Sequence, residues 1–360
     1  MGKRYFDLYE NICHPLNLWA AYKQAARGKR YQPAAAAFEY DLEKNLIELE
    51  NELRDESYMP GGYHNFLIQR PKRRLISAAP FRDRVAHHAL INVIEPLFER
   101  QFIFDSYANR RGKGTHAALD RCTYFMRRHR YVMHLDVRQF FPSIDHEILL
   151  SILSRTIADE KTMSLIRKIV ASGENVQAEE YSMTYFPGDD PSTGSGQDLF
   201  AVHRPRGLPI GNLTSQNWAN VYLNELDQYA KRVLKCCAYI RYVDDILLFS
   251  EEKTALHAWL EQVVGFLQKL RLRLHENSAQ PEQTKDGIPF LGFFVFPDHR
   301  RLKRSNGIAF QRRFRKLISQ YSNGEISFRD MSQRVQSWAN HASYGDTWGL
   351  RTKILGTWIG

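Results

Sequence analysis

Apolar residues in the first 60 positions recur at near-helical spacing. Leu42, Leu46, Ile47, Leu49 and Leu53, with Glu and Lys between them, predict a helical segment over 1–60. Tyr58-Met59-Pro60-Gly61-Gly62 breaks that pattern, and residues 63–78 then alternate basic and β-forming side chains, as a hairpin would. A helical period returns from 81 to 103 through Val85, Leu90, Val93, Ile94 and Leu97, with Pro96 near its end. Two later runs are of β type: Val132 to Val137, and Tyr239 to Phe249. Between them, residues 173–206 are polar and rich in Gly, Asp and Ser, and read as a surface excursion with no assignable chemistry. From about 298 a basic helical region follows, with Phe314, Leu317, Ile318, Trp338 and Trp348 as its expected apolar contacts.

The second β-type run is interrupted by Asp244-Asp245, so it reads as a hairpin whose tip carries two carboxylates. Apolar strands on both sides make those charges costly unless something positive sits on them. A hard divalent cation suits carboxylate oxygens and keeps waters or phosphates as its other ligands. Asp136 ends the other β-type run and is followed by Phe140-Phe141-Pro142-Ser143-Ile144-Asp145. Three carboxylates from two strands can hold two metals roughly 4 Å apart, the arrangement for in-line phosphoryl or nucleotidyl transfer. The pair Asp189-Asp190 has no apolar walls and lies in turn-forming sequence, so it reads as solvated loop.

Charge distribution sharpens this picture. Lys and Arg number 50 against 40 Asp and Glu, a net +10, and residues 300–360 hold 12 of the former and 3 of the latter. A second basic stretch runs from Arg110 to Arg130 with Lys113, Arg121, Arg127 and Arg128. Two basic zones flanking an acidic centre suit a nucleic-acid clamp with salt-dependent binding. Cys13, Cys122, Cys236 and Cys237 lack metal-binding spacing and clustered His partners, so neither a zinc site nor a disulfide framework is expected, and Cys236 and Cys237 should pack where the chain enters the acidic hairpin. No stretch is apolar enough to span a membrane, and an N-terminus with Asp7 and Glu10 is not a signal peptide. A cytoplasmic protein is the expectation.

Tyr242-Val243-Asp244-Asp245 resembles the palm signature of reverse transcriptases, and other motifs appear in the expected order. Asp136 with Phe141 resembles the first palm motif, and Gly207-Leu208-Pro209-Ile210-Gly211-Asn212-Leu213-Thr214-Ser215-Gln216 resembles the loop and helix between the two. Phe290-Leu291-Gly292-Phe293 resembles the primer-gripping hairpin. Lys72 to Ile76, Phe81 to Val85 and Tyr107 to Ala117 resemble fingers motifs. In most reverse transcriptases the residue before the loop glycine is glutamine. Here it is Ile210, and Ile-Gly-x-x-x-Ser-Gln resembles the form in diversity-generating retroelements, a group that Met1-Gly2-Lys3-Arg4 and Leu18-Trp19-Ala20-Ala21-Tyr22 also fit.

The resemblance, spanning about residues 60–300, implies an α+β right-hand polymerase. Fingers would occupy 61–130, a palm of antiparallel sheet packed on helices 131–297, and a short basic helical thumb 298–360. It implies RNA-directed DNA polymerase activity with two Mg2+ ions, Mn2+ being a possible substitute. The metals would be held by Asp136, Asp244, the Val137 main chain and Asp245, although Asp245 could instead serve mainly to shape the site. Lys72, Arg74, Phe141, Ile210 and Gly211 would bind the nucleotide, with Phe141 excluding a 2′-hydroxyl. Arg82, Arg84, Arg110, Lys113, Gln216, Leu291, Gly292, Arg312, Arg313 and Lys316 would bind template and primer. Ile210 cannot hydrogen-bond where glutamine could, which implies misincorporation opposite template adenines. Implied partners are a template RNA, the cDNA or primer strand, deoxynucleotides and a small basic helical accessory protein forming an oligomeric barrel. A retron-like or phage-defence enzyme would share the catalytic motifs. A two-metal nuclease would not need Phe141 or the Leu208-to-Gly211 loop, and a non-catalytic RNA-binding scaffold would not need all three acids.

Overall fold

A computed structural model describes residues 3–69, 73–186, 204–275 and 279–356. The chain starts with four helices, α1 (Tyr9–Cys13), α2 (Pro15–Ala26), α3 (Pro33–Tyr40) and α4 (Leu42–Arg54). Pro15 and Pro33 stand at first-turn positions, where a missing N–H costs nothing. The α4 stripe buries Leu49 and Leu53 completely, while Ile47 stays exposed. A two-stranded antiparallel hairpin follows, β1 (His64–Ile68) and β2 (Arg74–Ala78), and then the long α5 (Phe81–Glu99), which packs on α2.

The centre comprises α6 (Thr115–Met126), β3 (Tyr131–Asp136), α7 (Phe140–Ser143), α8 (His146–Ser154), α9 (Glu160–Ser172), α10 (Leu213–Arg232), β4 (Tyr239–Tyr242), β5 (Asp245–Ser250), α11 (Lys253–Lys269) and β6 (Pro281–Gln283). Its antiparallel sheet runs β4-β5-β3-β6. Met133, Leu135, Tyr239, Ile246 and Leu248 point to one side and join the core with α10 and α11. Val132, Ile240, Leu247 and Phe249 point to the other and meet α6. Burial on both faces explains why these strands read as nearly continuous apolar runs instead of alternating ones.

The second face is also covered by a small sheet of β7 (Ile288–Phe290), β8 (Phe293–Val295) and β9 (Arg300–Leu302). The chain continues into α12 (Arg304–Ser322), α13 (Phe328–Ala342) and α14 (Trp348–Gly356). Phe310, Phe314 and Ile354 form their own small core, with Trp338 stacked on Phe310 at 3.7 Å between ring centres.

Several expectations need correction. Trp348 is 72% exposed and is not a core contact, because α14 turns that face to solvent. Cys236 is buried but Cys237 is exposed, and all four cysteines are free thiols. The polar segment after 173 is not wholly a surface excursion: Gln177 and Phe186 are buried. Asp189-Asp190 lies outside the described residues, as does Lys72.

Candidate active site

Register places the acids together. In the β3–β5 pairing, Asp136 stands directly opposite Asp245, so both side chains leave the same face, just beyond the apolar row of Val132, Leu247 and Phe249. The turn between β4 and β5 supplies Asp244. It is tight because Val243 adopts a left-handed conformation, φ 57°, a state that costs a β-branched residue on the order of 1–3 kcal/mol. The Val137 N–H donates to the Asp244 carbonyl at 3.3 Å and ties the turn to the end of β3. His134, two residues before Asp136 and on the same face, lies 2.8 Å from an Asp245 oxygen through Nε2. His275 Nε2 stands 4.0 Å from Asp136.

The electrostatics show strain of a second kind. Burial, then the neighbouring Asp245 and Asp136 charges, push the Asp244 carboxyl up from 3.8 to about 6, while its own backbone hydrogen bond and Arg74 pull the other way. As arranged, no group of three His, Cys, Asp or Glu side chains among the described residues is gathered closely enough to hold a metal ion. The donor set still fits a hard divalent cation in kind: carboxylate oxygens with an excess of negative charge that a cation would neutralise.

A second element is tied to the segment that follows Asp136. The Gly207-to-Asn212 loop is held by hydrogen bonds from three directions. Gly207 and Leu208 N–H groups donate to the Ile144 and Phe141 carbonyls at 2.8 and 2.9 Å, and the Ser77 N–H donates to the Ile210 carbonyl at 2.9 Å. The Asn212 amide donates to Ser77 and Pro209 carbonyls and accepts from the Ala79 N–H. Gln177, oriented as its neighbours require, accepts from the Ile210 N–H at 3.0 Å and donates to the Leu208 carbonyl at 3.3 Å. Gly211 has φ 113°, and a Cβ there would lie 2.9 Å from Ile76 Cγ2, so both conformation and space call for glycine.

Residues 67–295 match the family "Reverse transcriptase (RNA-dependent DNA polymerase)". The chain belongs to the reverse transcriptase family. It is similar to Protein YkfC of Escherichia coli K12, 25% identical over 291 residues that cover 70% of this chain and 71% of that protein. It is also similar to the group II intron-encoded protein LtrA of Lactococcus lactis, 25% identical over 233 residues, 62% of this chain and 35% of the relative. Nuclear intron maturase 1 of Arabidopsis thaliana is 28% identical over 96 residues, 26% of this chain and 14% of the relative. The chain therefore spans about a third of the LtrA length, and its own chemistry is that of an RNA-directed DNA polymerase.

Within this reverse transcriptase, the other expected site residues divide by how their polar groups are used. Arg74 is exposed on β2 and acts electrostatically on Asp244. Phe141 is half-buried against the core, its ring 5.5 Å from that of the buried Phe140. Arg84 and Gln216 share a cavity of about 190 Å³ with Arg27, Lys29, His87 and His88. Arg84 also donates to the Ala79 carbonyl at 2.8 Å. Leu291 and Gly292 form the β7–β8 turn with φ 46° and 89°, and Gly292 accepts from the Lys303 N–H at 3.0 Å. Arg312, Arg313 and Lys316 are exposed on α12, whose Phe310, Phe314 and Leu317 are buried.

Arg110 is drawn inward. Its side chain is 6% exposed, forks onto Glu99 at 2.7–3.0 Å and donates to the Ile103 and Ser106 carbonyls, so its guanidinium is held inside the fold and is not a free surface cation. Others in that basic stretch are drawn inward too. Lys113 donates to the Phe104 carbonyl at 2.8 Å, and Arg121 pairs with Asp105. Arg82 is partly engaged by Glu52 and Asp83.

Proposed function

We propose that this reverse transcriptase makes error-prone, adenine-mutagenic cDNA from a retroelement template RNA for targeted gene diversification. The observation that carries the reading is Ile210, an apolar residue where most members of the family have glutamine, on a loop whose main chain is immobilised by β2, Asn212 and Gln177. A side chain that only fills space rejects wrong pairs by shape and offers no hydrogen bond that senses their geometry. In this reading the β1–β2 hairpin and α5 belong to fingers, the four-stranded sheet is the palm, and α12 to α14 form a thumb. Asp136, Asp244, the Val137 main chain and Asp245 would hold two Mg2+ ions. Bound there, such ions supply an acidified 3′-hydroxyl and charge neutralisation at the transferring phosphate. Arg74 would clamp the triphosphate, a task suited to a guanidinium. Phe141 would crowd a 2′-hydroxyl and favour deoxynucleotides.

Template RNA, primer strand and a small basic accessory protein complete the proposed cytoplasmic system. Among the described residues no helix is long and apolar enough to cross a membrane. The test is sequencing of cDNA made in magnesium buffer from an adenine-containing RNA by the wild type and Ile210→Gln, with Asp244→Asn as the inactive control. Errors concentrated at adenines and reduced by Ile210→Gln are expected. Accurate copying by both would move the role to a retron-like or defence enzyme.

A further inference from the structure

Behind the acidic turn, on the opposite face of the central sheet, lies a buried ion pair. Arg241 and Asp227 side chains are both fully enclosed. Arg241 donates through Nε and Nη2 to the two Asp227 oxygens at 2.8 and 2.7 Å, and through Nη1 to Asn220 Oδ1 at 3.1 Å and the Val243 carbonyl at 3.2 Å. The Tyr239 hydroxyl donates to Asp227 at 2.7 Å. Asn220 Nδ2 donates to the Ala108 carbonyl at 2.9 Å, anchoring α10 to the loop before α6. The main chain of Arg241 is fixed as well. Its N–H donates to the Asp105 carbonyl and its carbonyl accepts from the Tyr107 N–H.

A buried ion pair of this kind is seldom more stabilising than apolar side chains of the same volume, because two desolvation costs stand against one attraction. Stability therefore does not explain it well. What an apolar pair could not supply is the donor to Val243. That residue precedes Asp244 and holds a left-handed conformation it does not intrinsically favour. We propose that Arg241 is a positioning residue: acting through the Val243 carbonyl, and braced by Asp227 and Asn220 of α10, it fixes the turn that aims the Asp244 carboxylate. This rests on Asp244 being a ligand of the catalytic metals.

The test compares wild type with a variant in which the buried polar cluster is replaced as a unit, Asp227→Leu with Tyr239→Phe and Arg241→Met. Tyr239→Phe alone serves as the control, since it removes a bond to Asp227 without touching Val243. Three quantities are measured: melting temperature, single-nucleotide incorporation on a primed RNA, and Mn2+ affinity by electron paramagnetic resonance without substrate. The expected result is a folded triple variant whose kcat falls on the order of 10–100-fold at nearly unchanged nucleotide KM. Its Mn2+ affinity should weaken about tenfold or more. Tyr239→Phe should lower the melting temperature and leave turnover and Mn2+ affinity alone.

Wild-type turnover and Mn2+ affinity in a folded triple variant would overturn the proposal. If the triple variant does not fold, Arg241→Lys decides, because an ammonium cannot reach the Asp227 fork and the Val243 carbonyl together. Unchanged kcat and Mn2+ affinity per folded molecule would again overturn it. An inactive wild type would count against the polymerase reading, while the Mn2+ comparison would still decide the role of Arg241.

Discussion

Asp244 should destabilise the metal-free protein at neutral pH. Its folded carboxyl titrates at about 6, raised first by burial and then by Asp245 and Asp136, whereas an unfolded aspartate titrates near 3.9. From pH ~4 to ~6 the folded state keeps a proton that the unfolded state has lost, so stability falls as pH rises through that window and the full penalty is present above it. A gap of about two pH units corresponds to about 3 kcal/mol, and partial solvent contact lowers this to ~1–3 kcal/mol. Asp244→Asn removes the charge at nearly constant volume. The variant should therefore be inactive yet more stable than wild type at pH 7.5, by roughly 1–4 °C in melting temperature for a chain of this length. The difference should shrink toward pH 4, where the wild-type carboxyl is protonated. Adding Mg2+ at pH 7.5 should raise the wild-type melting temperature more than that of the variant, because the cation replaces the missing counter-charge. Thermal unfolding in chelator and in Mg2+, at a series of pH values, reads all of this. A variant no more stable than wild type at pH 7.5, or a gap that does not close on acidification, would refute the reasoning.

Gln177→Leu leaves the Ile210 N–H without its side-chain acceptor, which should cost ~1–3 kcal/mol; nucleotide KM and the error spectrum should change while RNA affinity does not, as steady-state kinetics and cDNA sequencing would show. Arg110→Ala leaves the Ile103 and Ser106 carbonyls and the partly exposed Glu99 without their donor, so it should destabilise by about 1–3 kcal/mol while leaving the salt dependence of RNA binding unchanged. Replacing Arg312, Arg313 and Lys316 with alanine should do the opposite: an unaltered melting temperature, and a slope of log affinity against log salt reduced by about 2–3, measured by titration at several salt concentrations.

The parts of this site that were legible in the sequence are those where chemistry and position coincide. Asp136, Asp244 and Asp245 stand out because acids interrupt apolar strands, and the strand pairing brings them to one edge. His134 was legible in principle, since a residue two before Asp136 on a strand shares its face. The inward position of Arg110 is not legible, because a basic residue in a basic stretch looks like a surface cation. Only the fold shows Glu99, the Ile103 carbonyl and the Ser106 carbonyl converging on it. Gln177 could not be found from its surroundings: it sits in polar sequence, and its partners are main-chain groups 31 and 33 positions away, at Leu208 and Ile210. Trp348 shows the reverse error, since a large apolar side chain is not obliged to be inside.

The central sheet keeps two charged systems apart. Asp136 and Asp245 leave one face, Arg241 leaves the other, and the apolar rows on both sides exclude water between them. Asp244 sits at the rim where the two systems meet, repelled by carboxylates on its own side and felt by Arg241 from behind. Neither the left-handed Val243 nor the crowded acids would persist in an isolated four-residue and six-residue hairpin, because two strands alone are marginal in water. They persist because Ile240, Leu247 and Phe249 on one face and Tyr239, Ile246 and Leu248 on the other are completely buried, which anchors β4 and β5 well below the turn. The apolar runs that first drew the hairpin out of the sequence are thus the physical condition for its acidic tip. A turn held in this way can remain strained and electrostatically unsatisfied in the free protein, with a divalent cation as the partner that relieves it.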